Sequence, residues 1–220
     1  RLKDRVNLTA NGKSLYGGPI YFRDAVSQVV SNTLFGMWMK RVFISYTKEA
    51  GDTGVACNNL RLSYCHIDGT AKNNGGTVSG DAITMSGPTF DLHLDHTYIW
   101  NYAGRGLLIS ATDAASTPPY LATGVFTTLN VVKIFNCGYG IDIVGAAADT
   151  TDVNLNCVLL DHCGIGIKTS KPAGSGSNEL FVFGNSVRIE FCSIKAIENS
   201  GAYISIDRLW TFGGAGEADP

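Results

Sequence analysis

Charge is scarce in this chain. Charged residues make up 16% of its 220 residues, well below the roughly 25% of ordinary soluble chains. The charge that is there nearly cancels, 17 Lys plus Arg against 19 Asp plus Glu, a net of −2. A dedicated nucleic-acid binder carries a basic excess, so no nucleic-acid partner is expected. No apolar run approaches the ~20 residues of a membrane span, so membrane insertion is not expected either. The longest apolar patch, Leu34 to Ile44, is interrupted by Lys40 and Arg41. No signal peptide is visible, and the first residue is Arg1 rather than Met. None of the six cysteines forms a C-x-x-C pair, and their spacings match no zinc framework. Asp68-Gly69-Thr70 is too short for a calcium loop, and Gly75-Gly76 is followed by neither a helix nor a phosphate-binding lysine. No metal and no cofactor are therefore expected.

Glycine, by contrast, is plentiful, at 26 residues. With 45% hydrophobic residues the chain is no disordered polymer, and its length supports a sizeable core. Rich in Gly and poor in charge, it reads as short strands joined by tight turns. A pattern G-x-x-h-x-h, with h apolar, starts at Gly80, Gly104, Gly138, Gly164 and Gly201. It predicts one inward column of Ile83, Leu107, Ile141, Ile167 and Ile204. A second pattern, h-x-h-x-x-s-x-h, interleaves with it, starting at Leu60, Leu92, Leu129, Val153 and Val187. In its third copy Asn136 stands at an apolar position, which an asparagine ladder would explain. Period-2 alternation is strand, and a fixed apolar frame repeated about every 30 residues with variable insertions is a solenoid.

The expected fold is all-β, a single-stranded right-handed parallel β-helix over residues 55–206. Residues 1–54 read as an irregular cap, with a short capping helix over Phe22 to Asn32, and residues 207–220 as a tail. Cys137 and Cys163 fall on neighbouring repeats, near enough for a disulfide, but in-register neighbours favour a stack of thiols. Cys65 and Cys192 are expected in one inward column, three repeats apart.

The stretches 135–143 (FNCGYGIDI) and 160–167 (LDHCGIGI) resemble coils of right-handed, pectate-lyase-like β-helices. That superfamily includes polysaccharide lyases, glycoside hydrolases and bacteriophage tailspikes. The polar loops and the Gly/Ser/Thr/Asn-rich composition look most like a phage tailspike or tail fibre. The resemblance implies a homotrimer on the virion tail, outside the cell, that contacts other tail proteins and binds bacterial surface polysaccharide. It leans towards an enzyme, a glycosidase or lyase that depolymerises the glycan. A non-enzymatic adhesin and a secreted polysaccharide-degrading enzyme are the alternatives. No catalytic signature of the family transfers residue by residue.

The richest chemistry lies in one stretch, where His93, Asp95, Tyr98, Trp100 and Arg105 fall within 13 residues. Asp95, Asp68 and His93 are the candidate catalytic groups. Tyr98, Trp100, Arg105 and His66 are the candidate sugar-binding groups, rings for apolar sugar faces and charges for hydroxyls. Aromatics and arginine also mark subunit interfaces, so this face reads as a sugar site, an interface or both. Glycoside hydrolysis generally needs two carboxyls about 5 Å or about 6.5–9.5 Å apart. Asp95 and Glu190 are expected to share a column but too far apart to act together. Asp142 is expected to pair with Lys168, and Asp161-His162 to occupy a corner.

Overall fold

The computed structural model describes residues 2–3, 7–9, 14–23, 30–46, 58–71, 76–86, 89–110, 124–145, 151–171 and 180–213. The chain is all-β: every element among the described residues is a strand and none is a helix. Among the described residues all strand pairings are parallel, and each joins a strand to one about a repeat further along the chain. They form three ladders, visited in turn. One column of the first ladder reads Arg61, His93, Thr128, Asn154, Phe183. One of the second reads Trp38, His66, Tyr98, Lys133, Leu159. The third holds the column Ile44, Ile83, Leu107, Ile141, Ile167, Ile197. Thr89–Ser110 and Gly124–Val144 are long enough to cross all three ladders.

The corners explain the spacing of the sequence patterns. Between the first and second ladders stand Tyr64, His96, Val131 and Cys157, with φ of 55°, 46°, 53° and 55°. Asn101, Asn136, His162 and Phe191, at 47° to 65°, stand at the end of the second ladder. A single left-handed residue bends an extended chain sharply and resets which side chains point inward. In Thr151–Asp161 buried and half-buried residues alternate up to Asn156, and the phase changes at exposed Cys157. The two adjacent x positions in h-x-h-x-x-s-x-h are therefore the approach to a corner and the corner itself.

Length varies mostly at another connection. From Phe35 on, the step from the first ladder to the second takes at most two residues. The return from the third ladder to the first takes 6 residues after Arg23, 11 after Tyr46, 2 after Ser86 and 13 after Ser110. The second-to-third step is long once, between Asp68 and Ile83.

The apolar frame packs into one core. Ile83, Leu107, Ile141 and Ile167 are fully buried in a single column. Ile204 is not in it; it pairs with Val182 in the first ladder, and Ile197 takes the expected place. Two copies of the second pattern are also out of register. The residues paired with Leu92, Leu94, Thr97 and Ile99 are Thr127, Leu129, Val132 and Ile134. In the last copy Val182, Gly184, Val187 and Ile189 continue the column. Asn136 is a corner residue whose Nδ2 donates to Asn101 Oδ1 at 2.7 Å, so the asparagine pair exists, but outside the apolar column. A glycine column lets the third ladder close on the second: a Cβ on Gly106 would sit 2.4 Å from Ile134 Cγ2, and one on Gly140 2.6 Å from the Gly166 carbonyl.

The ladders also run outside the 55–206 span. Trp38–Tyr46 pairs with Ser14–Arg23 on one side and with His66–Asp68 and Ile83–Ser86 on the other, and Leu209–Phe212 pairs with Val187–Glu190. The capping helix over Phe22 to Asn32 does not form as expected, because Phe22 and Arg23 end one strand and Val30 to Asn32 begin the next. Residues 24–29 of that segment lie outside the described residues.

The described cysteines are all free thiols, Cys57 lying outside the described residues. Cys137, Cys163 and Cys192 follow one another from repeat to repeat. Cys65 belongs instead at the level of Thr97 and Val132, so it does not share a column with Cys192. Burial pushes the Cys137 thiol up to about 11, and raises Cys163 and Cys192 as well. Thiolate is the reactive form. In the native protein at pH 8, iodoacetamide should therefore label exposed Cys157, with Cys137, Cys163 and Cys192 labelled only in denaturant. Mass mapping of the adducts checks this.

Candidate functional site

Two grooves meet at the corner of Tyr64 and His96. The first is aromatic and lies on the second ladder. Parallel neighbours in register sit about 4.8 Å apart, which brings rings of one column to stacking distance. Trp38 stacks on His66 with centroids 5.0 Å apart and planes at 12°, and His66 on Tyr98 at 5.0 Å and 25°. Trp100, from the adjacent column, stands edge-on to Trp38 at 6.2 Å and to His66 at 5.8 Å. His66, Tyr98, Trp100, Lys133 and Phe135 line a groove of about 370 Å³.

The second groove is polar and lies on the first ladder. Arg61, His93, Asp95, Thr128, Asn130 and Asn156 line a volume of about 520 Å³. Asp95 Oδ1 accepts from Asn130 Nδ2 at 2.7 Å and lies 3.0 Å from His96 Nδ1. Both carboxylate oxygens of Asp91 lie 3.0 Å from His93 Nε2. Below Asp91 in its column come exposed Phe126 and then Asp152. Burial raises the Asp152 pKa from its ordinary value. Two steps of the ladder put Asp91 and Asp152 about 9.5 Å apart along the column.

The structure thus divides the expected site. His93 and Asp95 line the polar groove, while His66, Tyr98 and Trp100 line the aromatic one around the corner. Two expected members line neither groove. Asp68 is buried, and its Oδ1 accepts from the Thr70 backbone N–H at 2.8 Å and from Thr70 Oγ1 at 2.5 Å. That arrangement holds a turn. Arg105 lies on the third ladder, where Nη1 donates to Asp81 Oδ2 at 2.9 Å and Nε to Asp142 Oδ2 at 2.7 Å. Burial pulls the Arg105 pKa down, but the charges and hydrogen bonds of Asp81 and Asp142 outweigh it and leave the pKa raised. The guanidinium bridges two carboxylates on a ladder apart from the rings.

Two smaller expectations change as well. Asp142 pairs with Arg105 and not with Lys168, whose Nζ lies 5.2 Å from the Tyr139 ring centroid. Glu190 pairs in register with Asp161, in the Trp100 column and not that of Asp95. Tyr102, next to the Asn101 corner, is fully buried and donates to the Val42 carbonyl at 2.6 Å. His162 does occupy a corner, at φ 51°, with Nδ1 2.6 Å from Asp161 Oδ1.

Trp38, Tyr64 and Phe135 are the site residues that sequence reasoning missed. A signal for Trp38 was available. Leu34, Met37 and Met39 repeat the spacing of Leu62, Cys65 and Ile67, and place Trp38 level with His66. Among the described residues no group of three His, Cys, Asp or Glu side chains could hold a metal ion. Comparison with protein-family models, with curated proteins and with solved structures finds no match, so the chemistry of the two grooves carries the functional argument.

Proposed function

We propose that the chain is a right-handed parallel β-helix that binds bacterial surface polysaccharide along its aromatic groove, in the manner of a phage tailspike or tail fibre. The β-helix is supported by the order of pairing, in which the three ladders are visited in turn and each strand meets its successor a repeat later. A closed barrel would join first strand to last. Among the described residues Leu2–Lys3 pairs only with the end of Ser14–Arg23, and Leu209–Phe212 only with Val187–Glu190. The same reading carries a homotrimer on the virion tail, outside the cell and beside other tail proteins.

The glycan reading rests on one observation, the ring column Trp38–His66–Tyr98 with Trp100 beside it in an open groove. Within the column the rings cover one another's faces, so Trp100, set nearly perpendicular to them, is the ring that suits an apolar sugar face. A second reading, hydrolysis, is favoured by Asp91 and Asp152, whose separation of about 9.5 Å approaches the 6.5–9.5 Å range of inverting enzymes. In it one of the two carboxyl groups protonates the leaving oxygen and the other, as carboxylate, activates the water.

Two variants test these readings with purified bacterial oligosaccharides. Trp100→Ala should weaken binding by about 1–3 kcal/mol, by analogy with stacking of bases on aromatics. Asp152→Asn should keep binding and cut turnover about 100-fold or more if the chain hydrolyses its glycan. Unchanged affinity in Trp100→Ala together with a lost oligomer assigns the ring column to a subunit interface instead.

A further inference from the structure

We infer that the saccharide held on the ring column is anionic, its charge carried by a carboxylate or a phosphate and met by Lys133. This rests on the glycan reading above and names its substrate class. Lys133 pairs in register with Tyr98, so it continues the column of Trp38, His66 and Tyr98 by one step. Its side chain lines the groove beside Phe135. A chain laid along the rings reaches the ammonium about 4.8 Å beyond the last of them.

Lys133 makes no ion pair with any described residue, whereas the nearby carboxylates are engaged elsewhere. Asp161, in the next column and one step on, binds His162 Nδ1 at 2.6 Å. Asp68 binds Thr70, and Glu190 accepts from Arg188 Nε at 2.5 Å. On the other walls Arg105 has Asp81 and Asp142, and Lys195 has Glu198 at 3.2 Å, while Lys168 packs over the Tyr139 ring, so Lys133 is the cation set among the rings of the aromatic groove. An ammonium with no counter-charge among the described residues, in a ring-lined groove, favours an anion over a neutral hydroxyl, because the attraction of opposite charges adds to the hydrogen bond.

The test uses a panel of purified bacterial polysaccharides. Each uronate-bearing member is paired with its carboxyl-reduced neutral form, and each phosphate-substituted member with its dephosphorylated form. The expected result is binding to anionic members, about ten-fold weaker to their neutral forms. Lys133→Gln should lose that same factor on the anionic forms and nothing on the neutral ones, and Lys133→Arg should restore it. Affinity of the parent should fall as salt rises from about 50 to about 300 mM. The arm that loses binding, reduction or dephosphorylation, identifies the anion. Equal binding to charged and neutral forms, with Trp100→Ala still weakening both, overturns the anionic inference and leaves the glycan reading standing. Equal loss on both forms in Lys133→Gln overturns it too. Binding to no member of the panel overturns the glycan reading itself.

Discussion

Replacing Ile141 with aspartate should unfold the chain or bring it close to unfolding, at a cost of about 4 kcal/mol or more. Ile141 is fully buried and paired in register with Leu107 on one side and Ile167 on the other, both also fully buried. A carboxylate there meets apolar side chains above and below, with no cation among the buried residues to answer it. A whole domain holds only about 5–15 kcal/mol, so one such charge removes a large share of the stability. Ile204→Asp is the internal control. That residue belongs to the first ladder near the last repeat and is only half-buried, so the substitution should cost much less. Urea unfolding of the two variants measures the difference. An Ile141→Asp protein within about 1 kcal/mol of the parent would show that this column is not the core.

Arg105→Ala should destabilise the protein by about 2–3 kcal/mol while leaving glycan affinity unchanged. Removing one partner of a buried pair costs about 3–5 kcal/mol because the other charge stays behind. The lower figure applies because the Arg105 side chain is 34% exposed, while Asp142 is only 5% exposed. Asp142 Oδ1 already lacks a partner, so loss of Arg105 strips the second oxygen of this carboxylate as well. Adding Asp142→Asn to Arg105→Ala should recover part of the loss, since the stranded charge is then gone. Glycan affinity that falls with Arg105→Ala at unchanged stability would return the residue to the binding site.

Much of the frame could be read from the chain, and the errors have one physical source. Four of five glycine-marked copies align because Gly80, Gly104, Gly138 and Gly164 each precede a buried column residue by three positions. The fifth copy misled because in the last repeat Ile194, 62% exposed, stands where the others have glycine. The second pattern slipped where polar Thr127 takes the apolar position and Val131 takes the corner. A left-handed corner changes the inward phase, so period-2 counting through it lands on the wrong wall. The site failed for the same reason. His93, Trp100 and Arg105 are close in sequence, but two corners distribute them over three ladders. Nearness along a strand-rich repeat says little. The neighbours that matter are one repeat away, as Trp38, His66 and Tyr98 are to each other.

The uneven spacing of the repeats makes the molecule a scaffold for grafting. Thirteen residues separate Ser110 from Gly124, whereas two separate Ser86 from Thr89 at the equivalent place one repeat earlier. Each doubling of a flexible connection adds only about 0.6 kcal/mol of closure entropy. A foreign peptide stitched in after Ser110 would thus be displayed beside the first ladder at little cost. A single residue added between Ser63 and His66 would instead push His66–Asp68 out of register with the strands on both sides of it.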